Sequence, residues 1–320
     1  MRLISSRSAA CENQNICNSE SALMLMERIT ILGTGLVGTS VGLALRAHGF
    51  SGTITGWDRD PKQLQIALSR GAVDIAAIDA PRAVKGANLV VLSGPVFAIV
   101  GWMEQLSACL TPGQLVTDVG STKRKISVCA QRWFNQPGRA GFLPGHPMAG
   151  KEVSGAANGE ATLFDGAVWL FTPANTGVMD EQSQAIAAEW REWIVRFGSR
   201  IMELDAMRHD ELCAWVSHLP QMVSTALTAM LEDKFGAAED MRAIGGRALR
   251  EMTRLGCSPY SMWRDIAHTN SDDIAAALLA LEQRLAHLRE HLKTPELREE
   301  FERANQFRLC RPVAPDPEQA

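Results

Sequence analysis

Apolar and polar positions divide this chain into two textures. From Arg28 to about Pro173, short apolar runs rich in β-branched residues alternate with stretches of helical spacing. The runs are RITILG (28–33), GTITGW (52–57), ANLVVLSG (87–94), QLVTDVG (114–120), RAGFLPG (139–145) and GAVWLFT (166–172). Between the first two, LVGTSVGLALRAHG (36–49) carries small and apolar residues at helical intervals. Strands of continuous apolar character joined by helices predict an α/β fold with a parallel, doubly wound sheet.

After Pro173 the period changes. QSQAIAAEWREWIVRFG (182–198), HDELCAWVSHLPQMVSTALTAMLEDKF (209–235) and SDDIAAALLALEQRLAHLREHLK (271–293) read as helices, the last with apolar residues at i, i+3 and i+4. The expected organisation is a sheet domain over 27–175 and an all-helical domain over 176–308, with the boundary near 173–180. Residues 1–26, polar and Ser/Asn/Cys-rich, and 309–320, rich in Pro and acid, read as disordered extensions.

Composition narrows the partners. The chain has 320 residues, 46% hydrophobic and 21% charged, as expected of a soluble globular protein with two domains. A net charge of −4 and a pI near 6.0 supply no basic field for nucleic acid or anionic lipid, so an anionic small-molecule substrate needs local arginines. No apolar run reaches the roughly 18 residues of a spanning helix, and the N-terminal segment lacks the apolar stretch of a secretory signal. Seven cysteines at irregular spacing, with no C-x-x-C pair and no metal-ligand rhythm, fit a reducing cytoplasm and predict no metal.

Gly33-Thr34-Gly35-Leu36-Val37-Gly38 is a G-x-G-x-x-G that follows a predicted strand and opens a predicted helix. The first glycine permits a tight turn, the second lets backbone approach a pyrophosphate, and the third lets helix and strand pack closely; the helix N-terminus adds free N–H groups. Alone the motif is weak, and its context makes it a Rossmann-type signature. Asp58 stands 20 residues beyond Gly38, at the end of the next strand. A carboxylate there accepts both ribose hydroxyls and repels a 2′-phosphate, favouring NAD over NADP. Arg59 beside it partly offsets that repulsion.

A dinucleotide fold does not name a substrate. Asp118-Val119-Gly120-Ser121-Thr122-Lys123 lies at a strand's C-terminal end, where ligands bind in such sheets, although a D-x-G-S also turns a chain and caps a helix. His146, in GHPMAGKE (145–152), follows another apolar run and suits a general base near neutral pH. Ser217-His218-Leu219-Pro220-Gln221 and the arginine-bearing stretch from Gly245 to Arg254 lie in the helical half. Arginines bind carboxylates bidentately, but on helices they are more often solvated.

Together these segments resemble the prephenate/arogenate dehydrogenase family, in order from about Arg28 to about Leu292. The shared motifs are G-x-G-L-x-G-x-S (Gly33 to Ser40), D-x-G-S-x-K (Asp118 to Lys123), H-P-M-A-G-x-E (His146 to Glu152), S-H-L-P (Ser217 to Pro220), T-R (Thr253, Arg254) and M-W-R-D-I (Met262 to Ile266). The resemblance implies an NAD-dependent oxidative decarboxylation in tyrosine biosynthesis. It implies that His146 takes the proton of the substrate's ring hydroxyl while Ser121 hydrogen-bonds that hydroxyl and orients the histidine. Arg254 then grips a substrate carboxylate and Glu152 joins an ionic gate at the mouth. Ser217 and Gln221 line the end of the site that receives the substrate side chain. Many relatives carry histidine in place of Gln221, which makes arogenate at least as plausible a substrate as prephenate; aspartate is common in place of Glu251, a departure that bears on the gate.

The rival readings are a β-hydroxyacid dehydrogenase or imine reductase, which places its proton-transfer lysine or aspartate on the helical side, and a non-catalytic NAD-binding sensor, which has no need of a base. Ile274, Leu278, Leu281 and Leu285 form an apolar stripe that either fills the monomer's core or pairs two chains. The resemblance implies a homodimer through the helical domain.

Overall fold

The computed structural model describes residues 25–134, 136–173, 179–236 and 238–310. Six strands form one all-parallel sheet: β1 (Arg28–Leu32), β2 (Thr53–Trp57), β3 (Ile75–Ala76), β4 (Leu89–Leu92), β5 (Leu115–Asp118) and β6 (Gly141–Leu143), in the order β3-β2-β1-β4-β5-β6. β4 and β5 are buried at every position, which is why they read as unbroken apolar runs. The order reverses between β1 and β4, and the crevice outside the strand C-termini at that point is where such sheets bind ligands. Gly33, Asp58, Ser93 and Val119 each directly follow one of the four central strands.

The strand expected over 139–145 is two strands. After Leu143 a single residue, Pro144, carries the chain out of the large sheet and into β7 (Gly145–Pro147). β7 pairs antiparallel with β8 (Val168–Phe171), with His146 opposite Leu170, and β8 pairs parallel with β9 (Arg200–Glu203). The run over 166–172 therefore belongs to a second, three-stranded sheet rather than to the parallel one.

The expected all-helical half beginning at 176 is corrected in the same region. It contains β9, and the helix Glu181–Arg196 packs its Ile186, Trp190, Trp193 and Ile194 into the core that holds Ile29, Ile31 and Leu115 of the large sheet. Trp190 also meets Trp169 of β8 edge to face, with ring centroids 5.9 Å apart. An amphipathic pattern states that a helix buries one face, not which partner it buries it against.

From Asp205 the described chain is helical: Ala206–Cys213, Leu219–Phe235, Glu239–Ile244, Arg247–Thr253, Tyr260–Thr269, Ser271–Glu290 and Glu296–Cys310. The first two are joined without a break by a π turn, Ala214–His218. This half has a small core of its own, Ala214, Ile266 and Ile274, against which Met222, Trp263 and Leu278 pack. Of the predicted stripe, Ile274 and Leu278 thus fill the monomer's core, while Leu285 is exposed. None of the described helices is long and apolar enough to cross a membrane.

Candidate active site

The glycine turn has the geometry a pyrophosphate requires. Gly33 adopts φ +91°, and a Cβ there would meet the Ser93 carbonyl oxygen at 1.9 Å. A Cβ on Gly38 would lie 2.0 Å from the Gly33 carbonyl oxygen, so that glycine is fixed by helix-to-strand packing. Gly35, which precedes the helix Leu36–Ala47, has nothing within 4 Å of its Cβ position. No side chain caps that helix. The space before Gly35 and the uncapped N–H groups of Leu36, Val37 and Gly38 fit a bound anion.

Asp58 closes the other side of this turn. Its Oδ2 accepts from the Thr34 N–H at 2.6 Å and its Oδ1 from the Asp60 N–H at 2.8 Å. Each carboxylate oxygen accepts more than one hydrogen bond, so capacity for ribose hydroxyls remains. Arg59 is exposed.

Beyond β5, the D-x-G-S-x-K segment is stitched together by its own ends. The fully buried Lys123 places Nζ 2.5 Å from Asp118 Oδ2 and 2.8 Å from the Gly120 carbonyl oxygen. Asp118 also accepts from the N–H groups of Gly120 at 2.8 Å and Gly145 at 3.2 Å. It thereby ties the end of β5 to the start of β7, the strand that carries His146. Ser121 lies between these residues, half-buried.

His146 is buried, and its Nδ1 lies 2.9 Å from Nε2 of His209. No hydrogen bond joins it to Ser121 among the described residues; the orienting contact expected of Ser121 is made by His209. His209 Nδ1 in turn lies 2.8 Å from Asp210 Oδ1. Asp210, fully buried, accepts the N–H groups of Lys123 at 2.7 Å and Arg124 at 3.0 Å. These stand at the start of the helix Arg124–Trp133, which has no cap from its own N-cap side chain. A carboxylate from the helical half thus caps a helix of the sheet half, where the helix dipole favours negative charge.

Burial, followed by the neighbouring His209, drives the pKa of His146 well below the ordinary histidine value. Burial lowers His209 despite the opposing pull of Asp210, and lowers His218 to about 4. For Asp210, burial alone acts upward, but hydrogen bonds from His209 and the backbone of Arg124 and Lys123 together hold the carboxyl below its usual value. His146 and His209 are therefore neutral beside an ionised Asp210 at neutral pH. Cys213 Sγ approaches His209 Nε2 at 3.7 Å, its thiol pushed up to about 12 by burial. His146, His209 and Cys213 offer three donor atoms within 4.8 Å of one another, a grouping that linear spacing did not reveal.

On the helical side, Arg254 is exposed and ion-paired with Glu152, so the two residues expected to grip substrate and gate the mouth meet each other. Gln221 is buried, and its amide is committed. Nε2 donates to the Leu255 carbonyl at 2.7 Å and to Thr225 Oγ1 at 3.1 Å, and Oε1 accepts from Ser258 Oγ at 3.0 Å. It anchors the turn Arg254–Cys257 rather than presenting a free amide. Ser217 is half-buried in the π turn, a distortion that often marks a functional site. His218, in the same turn, packs edge-on to Trp263 with centroids 5.9 Å apart.

Sequence reasoning missed His209 and Asp210. The available signal was the i, i+4 pairing of His209 with Cys213 on one helical face, beside an acid that the same helix buries.

Residues 41–197 match the model of the prephenate dehydrogenase nucleotide-binding domain, and residues 205–306 match that of the prephenate dehydrogenase dimerization domain. The chain is 30% identical over 251 residues to prephenate dehydrogenase of Bacillus subtilis, an alignment covering 78% of this chain and 66% of that enzyme. Prephenate dehydrogenase of Aquifex aeolicus, solved with hydroxyphenyl propionate and NAD+, superposes with a TM-score of 0.77 at 27% identity, covering 89% of this chain and 97% of the other. Arogenate dehydrogenase of Synechocystis gives 0.69 at 28% identity, covering 88% and 98%.

Proposed function

Because the chain belongs to the prephenate dehydrogenase family, we propose that it catalyses the NAD-dependent oxidative decarboxylation of prephenate, arogenate or both. The observation that carries this reading is a buried, neutral histidine in the short strand β7, whose first residue, Gly145, is tied to Asp118 at the sheet edge that bears the glycine turn. A base held neutral can accept a proton throughout the neutral range.

The turn through Gly33, Gly35 and Gly38 and the N–H groups of Leu36 and Val37 would hold the pyrophosphate, and Asp58 the adenosine ribose. When bound, the nicotinamide supplies the hydride acceptor. The chain's residues act on the substrate. His146 takes the proton of the ring hydroxyl, Ser121 hydrogen-bonds that hydroxyl, and Arg254 binds a carboxylate after exchanging Glu152 for it. As the carbinol carbon loses its hydride and becomes a carbonyl, the bond to the ring carboxylate breaks. CO₂ leaves, and the electron pair left behind aromatises the ring to a phenol. Asp58 favours NAD over NADP, since a 2′-phosphate would stand against its carboxylate.

Assembly as a homodimer through the helical half is part of the same reading. The family model matched there is a dimerization domain, and Ile244, Met252, Leu285, Phe301 and Phe307 all lie exposed on that half.

Four parallel absorbance assays, NAD or NADP with prephenate or arogenate, test the proposal. Reduced cofactor from NAD and one cyclohexadienol is the expected result. Silence in all four, from protein that binds NAD, would overturn it.

A further inference from the structure

The hydrogen-bond chain Asp210–His209–His146 fixes more than position. An ionised carboxylate only accepts, so the 2.8 Å contact requires the proton of His209 to sit on Nδ1. In a neutral imidazole the other nitrogen is then bare. His209 Nε2, a pure acceptor, lies 2.9 Å from His146 Nδ1, and two bare nitrogens do not approach so closely. The proton of His146 is therefore on Nδ1 as well. The ring's lone pair is left on Nε2, and the hydrogen bond recorded for the ring among the described residues is the one at Nδ1. Cys213 points a weak S–H donor at the same His209 nitrogen from 3.7 Å and is compatible with this assignment.

We infer that His209, itself oriented by Asp210, is the positioning residue that fixes the catalytic histidine as its Nδ1–H tautomer and so makes Nε2 the base. The inference rests on the reading of His146 as the proton acceptor. An imidazole without such a partner divides its population between two tautomers, only one of which presents a lone pair at a given place. Asp210 is committed at three points at once: to His209, to the Lys123 N–H and to the Arg124 N–H. The origin of the chain is thus as fixed as the helix it caps. Asn270 Nδ2 adds a bond to the Asp210 carbonyl oxygen at 2.8 Å, holding that residue's backbone too.

The test has a spectroscopic arm and a kinetic arm. In ¹⁵N-histidine-labelled protein near pH 7.5, with the His146 signals assigned through His146→Asn, long-range proton–nitrogen correlation should show His146 protonated on Nδ1. In His209→Leu that pattern should give way to a mixture or to the Nε2–H form. With either cyclohexadienol, His209→Leu should lower kcat by about 10²-fold or more, in keeping with the loss of a tautomer-fixing partner, with KM held within about twofold. His209→Gln keeps a carbonyl oxygen near the place of Nε2 and should recover most of that loss. An Nε2–H form in the wild-type protein overturns the inference, as does full kcat in a folded His209→Leu. If the wild-type chain turns over neither substrate, the functional reading fails, and the tautomer is still decided by the spectrum.

Discussion

Arg254 and Glu152 form an ion pair between the helical half and the loop that follows β7. The cation expected to receive a substrate carboxylate already holds a carboxylate of its own chain. On the proposed function, substrate exchanges for Glu152 at this arginine. Arg254→Gln should raise KM by roughly 10- to 100-fold with kcat little changed, the worth of a charge-assisted contact made equally in ground and transition states. Glu152→Gln should lower KM by a few fold. A rise in KM for Glu152→Gln would mean that the glutamate contacts substrate rather than competing with it.

His146→Asn should reduce kcat by about 10²- to 10⁴-fold, the range for loss of a general base, and leave NAD affinity unchanged. Near-normal turnover would remove His146 from that role. Equilibrium titration of NAD, beside steady-state kinetics, separates the two effects.

Glycine substitutions at the turn should divide folding from binding. Gly35→Ala meets nothing within 4 Å, so Tm should hold while NAD affinity falls about tenfold or more, or at least about 1.4 kcal/mol. Gly38→Ala drives a methyl into the Gly33 carbonyl and should lower Tm as well. Thermal melts with and without NAD distinguish these outcomes.

Three buried histidines, 146, 209 and 218, all have folded-state pKa values below the ordinary 6.5 because burial disfavours their charge. The unfolded chain then binds more protons than the folded one below about pH 6.5. Stability is fully present above that pH and is lost as pH falls, for His218 down to about pH 4. Tm should decline from pH 7 toward pH 4.5, whereas the acid limb of kcat should fall below the usual histidine range. A kcat limb near 6.5 would show that His146 titrates as an exposed group.

Lys123 and Asp118 are both fully buried. Lys123→Met strands the carboxylate and should cost about 3–5 kcal/mol, measurable by urea unfolding. Asp118→Asn combined with Lys123→Met should recover part of that loss, because no buried charge then remains.

What was legible in the sequence was what local chemistry dictates. The glycine turn followed from its place after β1 and before a helix, and Asp58 from its distance to Gly38. His146 stood out because a strand ran into it. The second sheet was not legible, because Gly141–Leu143 and Gly145–Pro147 are each three residues long and read as one apolar run. Nor was the placement of the helix Glu181–Arg196, whose stripe is compatible with either half. His209 and Asp210 looked like the polar start of a helix. Only tertiary packing, which buries both against Lys123 and His146, sets them apart from solvated charge. Gln221 was singled out for the substrate side chain, and its use in holding the Arg254 turn depends on three partners that no spacing predicts.

A single residue, Pro144, joins β6 to β7. β7 pairs with β8 with His146 opposite Leu170, and a one-residue slip of that register, which an insertion or deletion at the joint would impose, turns the imidazole to the opposite face of its sheet. Substitutions in this joint leave that register intact, whereas insertions and deletions do not. Across descendants of this gene, the spacing from β6 to the histidine should be far more constant than the residues that fill it.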